Sequence, residues 1–185
     1  MNAYWEAVRP YVVDGVITRS DLDPEQWQTW RDGMRERYSW TITDPETVEF
    51  VREHLGEYAV DPFAGSGWWE SLLISDMDIL GYDIAPPQDR WSPVGRCDAV
   101  QAVSVTIPST EALLLSWPPR YDDIGERTIR AYRGNRIVHI GADGSTSDGT
   151  DEMRKILAEE WTQVASHIPV RWYGVKDEIN VYERA

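Results

Sequence analysis

From residue 56 onward the sequence alternates between short apolar runs and amphipathic stretches, and this alternation narrows the possible folds more than any other feature of the chain. "EYAVDP", "DILGYDI", "CDAVQAVSV", "EALLLSWPP" and "NRIVHIGA" are five runs rich in branched or aliphatic residues, mostly closed by Asp, Gly, Pro or Ser, and they read as strands. Helical candidates lie among them: "WWESLLIS", "DIGERTIRAYRG" and, after the fifth run, "TDEMRKILAEEWTQVASH". Strand and helix in alternation imply parallel βαβ units with right-handed crossovers and helices on both sheet faces. The tail "VRWYGVKDEINVYERA" reads as two strands with little between them, an antiparallel hairpin on one sheet edge.

Ahead of this pattern the chain is helical. One helix is expected near residues 3–9 and another near 24–37, where "DPEQWQTWRDGMRERY" opens with an Asp cap and a proline in the first turn. "TDPETVEFVREHL" repeats the signal, with Thr43 or Asp44 as cap. At 185 residues and 42% hydrophobic the chain supports one well-buried core. The expected organisation is one structural unit, with residues 1–40 as a helical extension or cap and 41–185 as the α/β domain.

The formal net charge of -14 weighs against a protein that grips a nucleic-acid backbone alone, because that affinity comes from Lys and Arg neutralising phosphates. A small-molecule or protein substrate fits better; an oligomer or a partner subunit is possible, and a partner subunit could supply the missing positive surface. A single cysteine, Cys97, excludes an intrachain disulfide and fits a reducing compartment. The sequence offers no apolar run of membrane-spanning length, and "MNAYWEAVRPY" lacks a signal-peptide core, so a soluble cytoplasmic protein is expected.

In an open α/β sheet, ligands bind outside the carboxyl ends of the strands. There the sequence places Asp61-Pro62-Phe63-Ala64-Gly65-Ser66-Gly67, then Asp83-Ile84, Asp98, Ser116-Trp117-Pro118-Pro119 and Gly141-Ala142-Asp143-Gly144. The glycine turn can be set against three ligands. A nucleoside triphosphate loop needs Lys-Ser or Lys-Thr after its last glycine, and Trp68-Trp69 stand there. A dinucleotide fingerprint needs a third glycine where the chain has Glu70, whose side chain would obstruct close packing and repel a pyrophosphate. S-adenosylmethionine has no phosphate and carries a sulfonium and an ammonium, so it needs the glycines only for close backbone approach and favours a nearby carboxylate, which Asp61 beside Gly65 and Gly67 supplies. Asp83, about twenty residues further on, is placed to accept both ribose hydroxyls. An ordinary strand-to-helix turn would also carry these glycines, and Asp83 could equally cap a helix.

"VDPFAGSG", then "LGYDI", then "LLLSWPP" resembles, in order and spacing, the class I S-adenosylmethionine-dependent methyltransferases over about residues 40–185. The first segment is similar to their cofactor motif in the Asp-Pro-Phe-x-Gly-x-Gly form of DNA amino-methyltransferases. A closer likeness is to little-characterised members with Trp-Pro-Pro after the fourth strand and a glycine-rich turn after the fifth, as in "HIGADGSTSDGT". The resemblance implies a Rossmann-like, seven-stranded, mostly parallel sheet ending in an antiparallel hairpin, S-adenosylmethionine as cofactor, and an N-terminal cap that sets specificity. The candidate cofactor set is Trp40, Asp61, Pro62, Phe63, Ala64, Gly65, Gly67, Asp83, Ile84 and Asp98, and the resemblance implies that Asp98 bonds the adenine amine. One departure stands out. Amino-methyltransferases of nucleobases and glutamine usually carry Asn, Asp or Ser directly before Pro-Pro and an aromatic directly after; here Trp117 precedes and Arg120 follows, with Ser116 and Tyr121 displaced by one.

Methyl transfer asks for positioning and exclusion of water more than for a nucleophilic side chain. No triad is expected, and His54, His139 and His167 fall on different elements, with no Cys/His spacing for a metal. The candidate catalytic set is Ser116, Trp117, Pro118 and Tyr121, with Asp143, Tyr121 or Ser116 as base if one is needed. Trp40, Trp68, Trp69, Trp117 and Tyr38 fall near the expected cleft, where flat rings can stack a planar substrate. The leading expectation is methyl transfer to a nucleophile, nitrogen above others, of a small molecule or protein. The alternatives are a nucleobase amino-methyltransferase, a cofactor-binding regulatory protein without transfer, and an acidic nucleic-acid mimic.

Overall fold

The computed structural model describes residues 2–105, 112–142 and 148–184. The N-terminal region holds α1 (Ala3–Val8), β1 (Val12–Val13), β2 (Val16–Ile17) and α2 (Pro24–Arg37). α2 starts where the sequence says it should: Asp23 accepts from the Gln26 N–H, Gln26 returns a side-chain bond to the Asp23 N–H, and Pro24 occupies the first turn. α3 (Pro45–Leu55) is capped by Asp44, which accepts from the Thr47 N–H. There follow β3 (Tyr58–Asp61), α4 (Trp68–Leu73), β4 (Asp78–Asp83), β5 (Val94–Arg96), α5 (Ala99–Val105), β6 (Ala112–Ser116), α6 (Ile124–Ala131), β7 (Arg136–Ala142), α7 (Asp151–Glu160), β8 (Trp161–His167), β9 (Arg171–Trp172) and β10 (Asp177–Arg184).

Seven strands form one sheet in the order β5-β4-β3-β6-β7-β10-β8. The first five are parallel, and β10 runs antiparallel to both β7 and β8. β6 and β7 are nearly continuous apolar runs, as strands covered on both faces must be. On one face Val51 and Leu55 of α3 and Leu73 of α4 pack on Leu114, Val138 and Ile140. On the other, Ile129 of α6 and Met153, Ile156 and Leu157 of α7 cover Leu113, Leu115 and Ile137. A third cluster joins Tyr4, Val8, Ile17, Ile42, Trp68 and Trp172, fastening the N-terminal region to the sheet domain. No helix among the described residues is long and apolar enough to cross a membrane.

Three expectations are corrected. "CDAVQAVSV" is not a strand: Asp98 caps a helix there, and Ala99, Ala102 and Val103 are buried at helical spacing. The third strand is the short β5 before it, hidden in sequence because only Val94 of its residues is buried. "TDEMRKILAEEWTQVASH" is not one helix either. It breaks after Glu160, and Trp161–His167 is an edge strand with one buried residue, so it shows no apolar alternation. The terminal hairpin therefore pairs β8 with β10, while β9, expected in the main sheet, pairs parallel with β2 in a small sheet β1-β2-β9.

Candidate functional site

The carboxyl ends of β3 and β6 lie side by side where the strand order reverses, since β4 and β5 extend from β3 one way and β7 from β6 the other. Ligands of open α/β sheets bind at such a point. A cavity of about 260 Å³ sits there. Phe63 to Ser66 and Asp83 wall one side, Ser116, Trp117 and Pro119 the second, and Arg35, Tyr38, Ser39 and Trp40 the third.

The turn after β3 is built by backbone donors. Asp61 Oδ1 accepts the Phe63 N–H at 2.8 Å, the Tyr82 carbonyl accepts the Ala64 N–H at 2.9 Å, and Asp83 Oδ2 accepts the Gly65 N–H at 3.1 Å. Gly67 has φ +73°, and a Cβ on it would lie 2.5 Å from Ser92 Oγ, so both conformation and space demand glycine. The β4–β5 connection closes over this turn: the Trp91 N–H donates to Ser66 O at 2.8 Å and Ser92 Oγ to Gly67 O at 3.0 Å. Trp91 then stacks on Tyr38 at 5.2 Å, and Tyr38 on Tyr4 at 4.9 Å, tying the N-terminal region to the turn.

Asp83 Oδ1 also accepts the Ala85 N–H, at 2.8 Å. Each carboxylate oxygen has a second lone pair, so Asp83 retains acceptor capacity towards a ligand. Ile84 beside it is 67% exposed, an apolar surface at the strand end. Asp98 follows β5 and accepts the Val100 N–H at 3.0 Å. Asp61 is fully buried and faces Glu70 rather than the cavity. Burial, then the Glu70 charge, raises the Asp61 carboxyl well above the usual range, and burial pushes Glu70 up to about 7. Asp61 Oδ2 and both Glu70 oxygens are buried with no hydrogen-bond partner outside the pair among the described residues, so the fold disfavours ionising both carboxyls.

After β6 the backbone is strained. Trp117 has φ +49°, a left-handed conformation that a bulky side chain rarely adopts. It is held by its N–H on Ile140 O at 2.9 Å and by Nε1 on Thr41 Oγ1 at 2.8 Å. Its ring lies 5.4 Å from that of Trp40, itself 50% exposed, and Arg35 packs 3.6 Å from the centre of the Trp40 ring. The Pro118 carbonyl accepts the Gly149 N–H at 2.8 Å. Tyr121 is 88% exposed, against Arg120, and does not line the cavity. Asp143 lies outside the described residues.

The three histidines serve other elements: His54 bonds Phe50 O, His167 bonds Thr47, and His139 pairs with Asp148 at 3.0 Å. Among the described residues no group of three or more His, Cys, Asp or Glu could hold a metal ion.

No family model matches the chain, and no curated protein is significantly similar to it in sequence. Solved structures do match. Magnesium protoporphyrin IX methyltransferase from Synechocystis PCC 6803, with bound S-adenosylmethionine, aligns over 91% of this chain and all of its own with TM-score 0.56 and 15% identity. The 1,6-didemethyltoxoflavin-N1-methyltransferase of Burkholderia thailandensis, with S-adenosylhomocysteine, aligns over 91% and 93% with TM-score 0.55 and 14% identity. This is the class I methyltransferase fold. An rRNA methylase from Streptococcus thermophilus shares it over 78% of this chain and 98% of its own, with TM-score 0.53 and 12% identity. In the methyltransferase fold seen here, the expected positions divide. Trp40, Phe63, Ala64, Gly65, Asp83, Ser116 and Trp117 reach the cavity, whereas Asp61, Pro62, Gly67, Ile84, Asp98, Pro118 and Tyr121 are not on its wall. Arg35 and Thr41 were not anticipated. The Arg-rich "RDGMRER" gives no local mark by which Arg35 differs from its neighbours.

Proposed function

We propose that the protein is an S-adenosylmethionine-dependent methyltransferase that methylates a nucleophile, most readily a nitrogen, of a small molecule or protein. The bond from the Gly65 N–H to Asp83 carries this reading, because it fixes a close-approach turn and a ribose-accepting carboxylate side by side at the switch point. Asp83 takes the ribose hydroxyls, Ile84 packs on the adenine, and Asp98 accepts from its amine. Asp61, Pro62, Phe63, Ala64 and Gly67 shape the turn. Trp40 closes the cavity, and residues 1–40 act as a cap on the domain formed by 41–185.

The bound cofactor supplies a methyl group already activated by its sulfonium, so this chain needs no nucleophile of its own. Its residues position the acceptor and exclude water. Trp40 and Trp117 offer a flat apolar wall, and Ser116 and the Trp117 carbonyl can accept the hydrogens of an incoming amine. The net charge of -14 supports small molecules and proteins over nucleic acid. The test is transfer of labelled methyl to metabolite pools, protein extract, DNA and RNA: label in the first two is expected, and label in DNA alone would contradict the assignment.

A second reading, cofactor binding without transfer, draws on two observations. The Pro118 carbonyl is already engaged by Gly149, and Trp117 stands where an acceptor side chain is usual in amino-methyltransferases. Production of S-adenosylhomocysteine with any acceptor removes it.

A further inference from the structure

Arg35 is a largely but not fully buried cation, short of counter-charge, on the wall of the cavity. Its side chain is 13% exposed, and its Nε is buried with no hydrogen-bond partner among the described residues. The one carboxylate within 4 Å among those residues is Asp32, at 3.9 Å from Nη1, and Asp32 is 44% exposed and also faces Arg31 at 3.4 Å. Glu36, on the same wall, is solvent-exposed and forms no ion pair with Arg35 among the described residues. Asp177 interacts electrostatically with Arg35, but burial pushes its carboxyl up to about 7, and Arg171 acts on it as well. Buried charges are costly unless paired, so a guanidinium left in this state calls for an anion.

The ring contact does not supply one. Arg35 lies over the face of Trp40, 3.6 Å from its centre. A guanidinium stacked in this way keeps its N–H edge in its own plane, the edge that pairs with a carboxylate or phosphate in two parallel bonds. The turn and Asp83 line another side of the same cavity.

We infer that Arg35 is an anion-receiving residue of this cavity, binding an acidic group carried by a ligand. The inference rests on the methyltransferase reading above and adds the chemistry of one end of the site. A carboxylate can come from the amino-acid part of the cofactor or from the acceptor, and the two sources separate experimentally.

The experiment is calorimetric titration of wild type, Arg35→Met and Arg35→Lys with S-adenosylhomocysteine and with 5′-methylthioadenosine, the same nucleoside thioether without its amino acid. Benzoate is titrated as well, into the free protein and into the nucleoside complex. If the cofactor carboxylate is bound, Arg35→Met weakens S-adenosylhomocysteine about tenfold or more, leaves 5′-methylthioadenosine within about twofold, and Arg35→Lys recovers part of the loss. If the acceptor brings the anion, S-adenosylhomocysteine is unaffected and benzoate binding is lost in Arg35→Met. Equal losses for both nucleosides would mean that Arg35 only supports the fold and would overturn the inference. So would unchanged affinity for S-adenosylhomocysteine together with unchanged or undetectable benzoate binding. Failure of the cofactor reading looks different: wild type binds neither nucleoside, while benzoate still reports on Arg35.

Discussion

Glu70 and Gly81 share one space: a Cβ on Gly81 of β4 would lie 2.8 Å from Glu70 Oε1 and 3.0 Å from the Ala64 Cβ. In dinucleotide folds the third glycine of the fingerprint gives close helix–strand packing. Here the corresponding helix residue is Glu70, and the space comes from the strand instead. The sequence argument that Glu70 would obstruct packing is thus answered by a glycine eleven positions later.

This relationship predicts a coupled pair. Gly81→Ala alone costs roughly 1–3 kcal/mol through overpacking. In a Glu70→Ala background the same change costs much less, because the colliding carboxyl is gone. Urea unfolding of the four proteins in the cycle measures the coupling, and additive effects would show that the two residues do not compete for one volume.

The buried carboxyls predict stability that falls with rising pH. Glu70 is raised from 4.5 to about 7 and Asp177 from 3.8 to about 7, so the folded state binds more protons than the unfolded state between these limits. Their contribution is fully present below about pH 4 and is lost as pH rises through 7, on the order of 3 kcal/mol for Glu70. The melting temperature should drop by several degrees from pH 5 to pH 8, and Glu70→Gln should flatten that slope. The same slope in the variant would place the titration elsewhere.

Gly67→Ala should damage the turn itself. The added Cβ meets Ser92 Oγ at 2.5 Å and Val94 Cγ2 at 2.9 Å with the backbone at φ +73°. Affinity for S-adenosylhomocysteine should fall about tenfold or more, with a stability loss of about 1–3 kcal/mol. Wild-type affinity in this variant would mean that the turn does not shape the ligand site.

Trp117→Phe keeps a ring in the cavity and removes the bond from Nε1 to Thr41. Thr41 is fully buried, so a stability loss of about 1–2 kcal/mol is expected, with cofactor affinity nearly unchanged. A large loss of cofactor affinity would move Trp117 from the acceptor side of the cavity to the cofactor.

The parallel sheet was legible because β3, β4, β6 and β7 are short apolar runs closed by turn residues, and the helices because Asp23 and Asp44 announce their starts. β5 and β8 were not. Each buries a single side chain, at Val94 and Trp161, and an edge strand stabilised mainly by its ladder leaves little trace in side-chain pattern. Gly65 and Asp83 on the cavity wall, and Gly67 in the turn behind it, were readable because backbone geometry and a strand-end carboxylate restrict residue type. Arg35 was not readable, since its role comes from where α2 ends relative to Trp40. Nor was the left-handed backbone at Trp117, which local preference opposes and tertiary bonds impose.

The most direct test is calorimetric titration of the purified protein with S-adenosylhomocysteine, with Asp83→Ala as control. Wild type is expected to bind one equivalent in the micromolar range, with affinity at least tenfold weaker in Asp83→Ala, which loses an acceptor for the Gly65 N–H and for the ribose. No binding by wild type, or equal binding by both proteins, would contradict the claim that the turn and Asp83 form a cofactor site.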